Sequence, residues 1–214
     1  MTNQAKTVTV TENINVEKTE KIGLLGGTFN PPHIGHLVVA DQVRNQLGLE
    51  EVWFIPTATP PHSNGKDTID ADSRLDMLLR AIQGNSYFDL NTIEVDKGGI
   101  NYTFDTIIEL QSRHPDKEFY FILGADMVHD LPNWYKIDEL IESVQLVGVN
   151  RLEYERKSDY PILWVDVPNV DISSTELRKS IKEGKPVRYL IPNDVVSYIS
   201  ENELYTKGEV SDPN

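Results

Sequence analysis

The sequence predicts an α/β fold, with a doubly wound parallel sheet and helices on both of its faces, in a single domain. Short apolar segments alternate along the chain with amphipathic stretches of helical period. The apolar segments are nearly continuous, which is typical of strands buried on both faces of a parallel sheet. At 214 residues the chain is long enough for one sizeable core and short for two. The strand–helix alternation indicates right-handed crossovers and therefore a Rossmann-like arrangement.

The individual elements follow from the same patterns. The expected strands are Ile22–Leu25, Val52–Ile55, Phe119–Leu123, Leu146–Val149 and Ile162–Val165. The expected helices lie near His36–Leu47, Ser73–Ile82, Thr103–Arg113, Ile137–Ser143, Ser173–Lys182 and Asp194–Ser200. Because ligands bind at the carboxyl ends of the strands in such sheets, the residues directly after each strand are candidates for a functional site.

We expect the folded domain to span residues 21–206, between an N-terminal extension and a C-terminal tail over residues 207–214. Residues 1–20 are polar and lack a core-forming pattern, which predicts disorder. A weak alternation of Val8 and Val10 with later apolar residues leaves an edge strand open as an alternative.

The composition excludes several classes of protein. The 20 basic and 34 acidic residues give a net charge of −14, which argues against a nucleic-acid-binding surface. The absence of cysteine excludes disulfides, thiolate metal sites and a cysteine nucleophile, and fits a cytoplasmic protein. No apolar run approaches the roughly 18 residues of a membrane helix, so we expect no membrane contact. The composition leaves the oligomeric state open, including a homo-oligomer.

A glycine turn, a histidine pair and a helix start follow the first strand in that order. The segment reads Gly26-Gly27-Thr28-Phe29-Asn30-Pro31-Pro32-His33-Ile34-Gly35-His36. Gly26 and Gly27 allow a sharp turn and a close approach to a ligand, and a helix start offers N–H groups to an anion. His33 and His36 would project to the same side, where they could reach phosphate oxygens. A metal held by this pair would need further ligands that the neighbouring sequence does not offer, so we expect no protein metal site.

A second candidate anion site lies late in the chain. The segment reads Ile172-Ser173-Ser174-Thr175-Glu176-Leu177-Arg178 and opens a predicted helix. Ser173 and Glu176 have the spacing of a capping box, which would explain Ser173 by itself. Arg178 lies four residues after Ser174, on the same helix face, and with the hydroxyls could hold the β and γ phosphates of ATP.

Together these motifs resemble the HxGH and ISSTxxR signatures of the nucleotidyltransferase superfamily. The resemblance implies transfer of a nucleotidyl group from ATP, with His33, His36 and Arg178 as the catalytic residues. The ATP-binding residues that it implies are Gly26, Gly27, Thr28, Phe29, His33, His36, Gly124, Asp126, Ile172, Ser173, Ser174, Thr175 and Arg178. Magnesium would arrive on the ATP phosphates, with no dedicated protein cage.

From about Lys21 to Tyr205 the chain also resembles the bacterial nicotinate-nucleotide adenylyltransferases. That resemblance implies nicotinic acid mononucleotide as the acceptor of AMP. Trp134 would stack on the pyridine ring, and donors at Tyr102 and Thr103 would address its carboxylate, which a helix N-terminus favours over an amide. The implied acceptor-binding residues are Asn30, His62, Tyr102, Thr103 and Trp134, with Asn30 standing where many relatives have Asp.

Other interpretations stay open from the residues alone. Trp134 could serve only in packing, and Thr103 or Asp126 could be helix caps. Relatives often carry a basic residue where Ser63 stands, with Lys66 as the next candidate for the acceptor phosphate. The acceptor could instead be nicotinamide mononucleotide or phosphopantetheine, and a non-catalytic nucleotide-binding module is the alternative from another class.

Overall fold

Six strands of the computed structural model form one sheet. They are β1 (Glu20–Gly27), β2 (Glu51–Pro56), β3 (Phe88–Leu90), β4 (Lys117–Gly124), β5 (Gln145–Val149) and β6 (Ile162–Val165). All neighbouring pairs are parallel, and the order across the sheet is β3-β2-β1-β4-β5-β6. The strand order therefore reverses beside β1, which places the crevice of a doubly wound sheet between the carboxyl ends of β1 and β4. The structure describes residues 19–59, 68–150, 154 and 156–206.

Helices cover both faces of this sheet. They are α1 (Ile34–Leu47), α2 (Ala71–Ile82), α3 (Ile93–Lys97), α4 (Thr103–Arg113), α5 (Ala125–Asp130), α6 (Ile137–Ser143), α7 (Ser174–Lys182) and α8 (Asn193–Glu201). α1 ends at Gly48, whose backbone is left-handed at φ 62° and closes the last turn onto Arg44. α4 and α6 pack on one side of the sheet, whereas α1 and α2 pack on the other.

The four inner strands β1, β2, β4 and β5 are buried on both faces, as their continuous apolar character predicts. In β4, Phe119 and Phe121 belong to the core on one side, and Tyr120 and Ile122 belong to the core on the other. Side chains alternate across a strand, so each face must be apolar when both faces are covered by helices. Burial of both faces fixes the register of the sheet and thereby the position of its carboxyl edge.

A third apolar cluster ties the C-terminal part of the chain to the rest. Side chains of α8, including Val195 and Ile199, pack against Met77 of α2 and Leu177 of α7. The cluster continues to Tyr205, beyond the end of α8. It holds α7, which carries the second predicted anion site, beside the start of α1.

The predicted fold is confirmed, with all five expected strands and all six expected helices present in the described residues. Four short elements were not predicted: β3, α3, α5 and a single 3-10 turn over Leu131–Asn133. β3 has three residues that are only partly buried, and α3 and α5 have five and six residues. Segments this short contain too few residues to show a helical or strand period in the sequence. Their conformation depends instead on contacts with neighbouring elements.

Two further expectations concern the ends of the chain and membrane-spanning helices. The disorder or edge strand expected within residues 1–20 lies outside the described residues as far as residue 18, as does the tail at 207–214. Glu20 belongs to β1, so the folded domain begins slightly earlier than expected, because its backbone pairs with Lys117 of β4. Among the residues that are described, no helix is both long enough and apolar enough to span a bilayer.

Candidate active site

The loop after β1 is buried and tightly built. Phe29 has a positive φ of 50°, a conformation that costs a non-glycine residue free energy, yet its side chain is only 1% exposed. Its ring packs on Phe54 and, edge-on, on His36. A Cβ on Gly27 would lie 3.1 Å from this ring, which explains why glycine stands there. Burial of Phe29 therefore fixes the loop against the sheet. The peptide bond between Asn30 and Pro31, one residue further along the loop, is cis.

The two histidines of the first motif lie against each other. Their rings are stacked, with centroids 3.7 Å apart and planes 26° from parallel. The backbone N–H of His33, the residue before α1, donates to Nδ1 of His36 at 3.1 Å. An Nδ1 that accepts a hydrogen bond carries no proton, so the neutral His36 ring has its N–H at Nε2. The loop thus sets the tautomer of His36 and leaves Nε2 as its donor.

Gly35 leaves room for this stack. A Cβ at Gly35 would lie 3.0 Å from Nδ1 and 3.1 Å from Cε1 of His33, closer than side chains normally approach. Glycine between the two histidines therefore allows the His33 ring to take this position, whereas a Cβ there would displace the ring by a few tenths of an ångström. The H-x-G-H spacing has a steric cause in this fold.

The second motif contacts the first directly. Ser174 Oγ donates to the carbonyl of Pro31 at 2.9 Å, and Arg178 Nη1 donates to the carbonyl of Asn30 at 2.8 Å. Thr175 Oγ1 lies 3.4 Å from Nη2 of Arg178. Residues more than a hundred positions apart in the sequence therefore form one cluster at the carboxyl edge of the sheet.

The capping-box prediction for Ser173 is wrong. Ser173 is the N-cap of α7, but its side chain makes no capping hydrogen bond. It is exposed, so water can satisfy the free N–H groups of the first turn in its place. Ile172 before it is half-buried and packs on the third apolar cluster, where it anchors the start of the motif.

The end of β4 lies beside the end of β1, as the strand order requires. Gly124 ends β4 and is the N-cap of α5, and half-buried Asp126 lies in the first turn of that helix. The cap of α5 is thus Gly124, and the alternative that Asp126 caps the helix is wrong. Gly124 and Asp126 therefore lie at the sheet edge that carries the first motif.

The predicted acceptor residues form a separate aromatic group. The ring of Tyr102, which is 49% exposed, lies 4.7 Å from that of Tyr135. Trp134 is half-buried and contacts Phe121 edge-on, with centroids 6.2 Å apart. Trp134 thus packs on the core with part of its surface and stays accessible with the rest. Thr103 is the first residue of α4, whose N-cap is Tyr102, so the alternative that Thr103 is the cap is wrong.

Two predicted acceptor residues, Asn30 and His62, do not belong to this aromatic group. Asn30 is 3% exposed, and its Oδ1 accepts a 2.6 Å hydrogen bond from the Tyr205 hydroxyl. Its carbonyl accepts from Arg178, so Asn30 connects both motifs to the C-terminal segment. His62 lies outside the described residues, as do Ser63 and Lys66.

The structure adds two ionisable residues that the sequence analysis did not identify, buried Arg74 and half-buried Glu94. Arg74 is 1% exposed, and burial lowers the pKa of its guanidinium. Burial raises the pKa of Glu94, although the Thr106 hydroxyl donates to its carboxylate at 2.9 Å. The position of Arg74, three residues before buried Met77 on the apolar face of α2, was the available signal.

Comparison with known proteins agrees with this geometry. The model of the cytidylyltransferase-like family matches residues 24–180. A Lactiplantibacillus plantarum protein named "Probable nicotinate-nucleotide adenylyltransferase" is 48% identical over 97% of this chain and 98% of its own length. The nicotinate-nucleotide adenylyltransferase of Bacillus subtilis is 47% identical over 87% of this chain and 98% of its own.

A solved structure supports the fold independently. It is the Plasmodium falciparum nicotinic acid mononucleotide adenylyltransferase complexed with NaAD, with a TM-score of 0.75 at 21% identity, covering 87% of this chain and 97% of that one. Identity this low supports the fold alone. Taken with the identities near one half over almost the whole chain, the convergent motifs lead to one conclusion: the protein belongs to the nicotinate-nucleotide adenylyltransferase family.

Proposed function

We propose that this enzyme transfers the AMP moiety of ATP to nicotinic acid mononucleotide, giving nicotinic acid adenine dinucleotide and pyrophosphate. The proposal depends chiefly on one observation: the stacked His33–His36 pair lies together with Ser174 and Arg178 at the carboxyl end of β1. Donors from both segments can reach one triphosphate there. ATP as the donor also supports a cytoplasmic site of reaction.

The reaction needs no nucleophile from the protein. A phosphate oxygen of the mononucleotide attacks the α phosphorus of ATP and forms a new P–O bond. The bond from the α phosphorus to the oxygen bridging to the β phosphorus breaks, and pyrophosphate leaves with that electron pair. The protein therefore acts by positioning the reactants and by stabilising negative charge in the transition state.

The donors divide between the two parts of the triphosphate. Nε2–H of His36, set by the bond at Nδ1, would donate to the α phosphate, with His33 beside it toward the β phosphate. Arg178 uses one N–H on Asn30 and retains others of its five for pyrophosphate, alongside the hydroxyl of Thr175. The Ser174 hydroxyl donates to the carbonyl of Pro31, so it would have to rotate away from that carbonyl to donate to the leaving group.

Magnesium would reach this site bound to the phosphates of ATP. Within the described ranges, no group of three or more His, Asp and Glu side chains is placed to hold a metal ion. Phosphate oxygens and water would therefore supply most of its ligands, and the bound ion would neutralise phosphate charge.

The acceptor half of the proposal depends on the aromatic group. Trp134 would stack on the pyridine ring with its accessible face. Thr103 and the backbone N–H groups at the start of α4 would meet the ring carboxylate, since a helix N-terminus favours an anion over a neutral amide. His62 would contact the acceptor phosphate.

The test compares three acceptors with ATP: nicotinic acid mononucleotide, nicotinamide mononucleotide and phosphopantetheine. We expect the acid to have the highest kcat/KM, measured as pyrophosphate release and confirmed by mass of the product. A preference for either of the other acceptors would overturn the assignment of the acceptor. Binding of ATP without pyrophosphate release for any acceptor would overturn catalysis itself.

A further inference from the structure

Arg74 makes three hydrogen bonds to backbone carbonyls from inside the protein. Nη1 donates to the carbonyls of Thr28 at 3.0 Å and Thr57 at 2.8 Å, and Nη2 donates to the carbonyl of Ala58 at 3.1 Å. Thr28 belongs to the loop after β1, whereas Thr57 and Ala58 belong to the segment after β2. One guanidinium thus joins two neighbouring loops at the carboxyl edge of the sheet.

These carbonyls take the place of a carboxylate partner. No ion pair joins Arg74 to an acid within the described part of the chain. Its neighbour Asp70 instead caps α2 by accepting from the backbone N–H and hydroxyl of Ser73. Asp70 is near enough to favour the charge of Arg74, but it is exposed and forms no ion pair with it, and the cost of burial outweighs this attraction. An apolar residue of similar volume would therefore serve the core of α2 better. The arginine therefore has a reason other than packing.

The bonds also orient the donors of both loops. In a planar trans peptide the N–H points away from the carbonyl of the same unit. Carbonyls of Thr28, Thr57 and Ala58 that face Arg74 therefore direct the N–H groups of Phe29, Ala58 and Thr59 to the opposite side. The spacing and direction of these donors depend on a single rigid fork.

We propose that Arg74 is a positioning residue. It fixes the ATP-binding loop after β1 relative to the segment after β2, which precedes the predicted acceptor residue His62 in the sequence. This inference rests on the proposed function. Arg74 contacts neither substrate and acts through the backbone of the two loops. Its loss would let the two substrates drift from the geometry of in-line attack, and a misplacement of about 1 Å can cost a rate on the order of a hundredfold.

The test uses Arg74→Lys, which keeps the charge without the fork, and Arg74→Met, which keeps most of the volume without the charge. Met77→Ala is the matched control, because Met77 is fully buried on the same face of α2 and belongs to no predicted contact with substrate. Melting temperature, kcat and KM for both substrates are measured for each variant, well below its melting temperature, and ATP binding is measured by calorimetry.

We expect both Arg74 variants to raise the KM values for ATP and acceptor about tenfold and to lower kcat/KM about a hundredfold. Met77→Ala should lower the melting temperature while holding both KM values within twofold. Unchanged KM values in Arg74→Lys, equal changes in Met77→Ala, or failure of both Arg74 variants to fold would overturn the proposal. If the wild-type protein turned over no acceptor, the proposed function would fail, whereas the effect of Arg74 on ATP binding would still be measurable.

Discussion

The two halves of the proposed site, one for ATP and one for the acceptor, are built in different ways. The ATP half, over Gly27–His36, is buried and joined by hydrogen bonds to Arg74, Arg178 and Tyr205. The acceptor half, at Tyr102, Trp134 and Tyr135, consists of partly exposed aromatic rings: Tyr102 contacts Tyr135 at the surface, and Trp134 packs on Phe121.

This difference separates geometry from recognition. Buried and bonded groups hold a fixed position before a ligand arrives, which favours stabilisation of a transition state. An exposed aromatic side chain contributes binding free energy when a ligand ring stacks on it and excludes water. This contribution favours binding of the substrate in its ground state. We therefore expect substitutions within Gly27–His36 to change mainly kcat, and substitutions in the acceptor half to change mainly the KM for the mononucleotide. Arg74 joins two loops, so its variants should change both kcat and KM.

The largest effect is expected for His36→Ala. Loss of one oriented donor to the reacting phosphate should lower kcat on the order of 10²–10³-fold, as loss of comparable donors does in other enzymes. Steady-state kinetics with a melting curve would measure it. His114→Ala is the control, because His114 lies at the C-terminal end of α4, away from the predicted site, and packs on Trp53. The kcat of this variant should stay near that of wild type. A loss in His36→Ala of less than threefold would contradict the assigned role.

Gly35→Ala should lower kcat by roughly tenfold with little change in KM. The added Cβ pushes on the His33 ring from 3.0 Å and so shifts the histidine stack by a few tenths of an ångström. Gly23→Ala places a Cβ 3.0 Å from Leu49 in the core and serves as the matched control. It should lower the melting temperature and leave kcat unchanged; equal kcat losses in both variants would remove the steric argument for Gly35.

Trp134→Ala should raise the KM for nicotinic acid mononucleotide about tenfold, because ring stacking contributes roughly 1 kcal/mol beyond area burial. The KM for ATP should not change. Trp134→Phe retains an aromatic face and should recover most of the affinity. Initial rates over a range of both substrates would decide this, and a kcat loss without a KM change would assign Trp134 to the rigid half of the site.

The smallest effect is expected for Glu94→Gln, which concerns the support of the acceptor half. Burial holds the pKa of Glu94 above its ordinary value of 4.5, so ionisation destabilises the folded protein as pH rises through the raised pKa. Glutamine keeps an acceptor for Thr106 without the charge. Its melting temperature should exceed that of wild type by on the order of 2 °C at pH 7 and match it near pH 4. A gain that is equal at both pH values would exclude ionisation as the cause.

Much of the site could be predicted because its signals are local. The glycine turn and histidine pair after β1, and the hydroxyls and Arg178 at α7, lie within short segments next to periodic elements. Arg74 and Tyr205 could not be assigned in this way, because their partners Thr28, Thr57 and Asn30 are distant in sequence. The absence of a side-chain bond at Ser173 was equally hidden, since a capping spacing does not reveal whether the side chain faces solvent.

The sequence by itself determined the alternation of strands and helices, the segments that are predicted to bind phosphate, and the resemblance that named the acceptor. Hydrophobic periodicity and turn chemistry are properties of neighbouring residues, so they can be read along the chain. Only the tertiary structure decided the stacking of His33 on His36, the tautomer of His36, and the joining of two loops by Arg74. These features depend on distances between segments that packing of the core brings together.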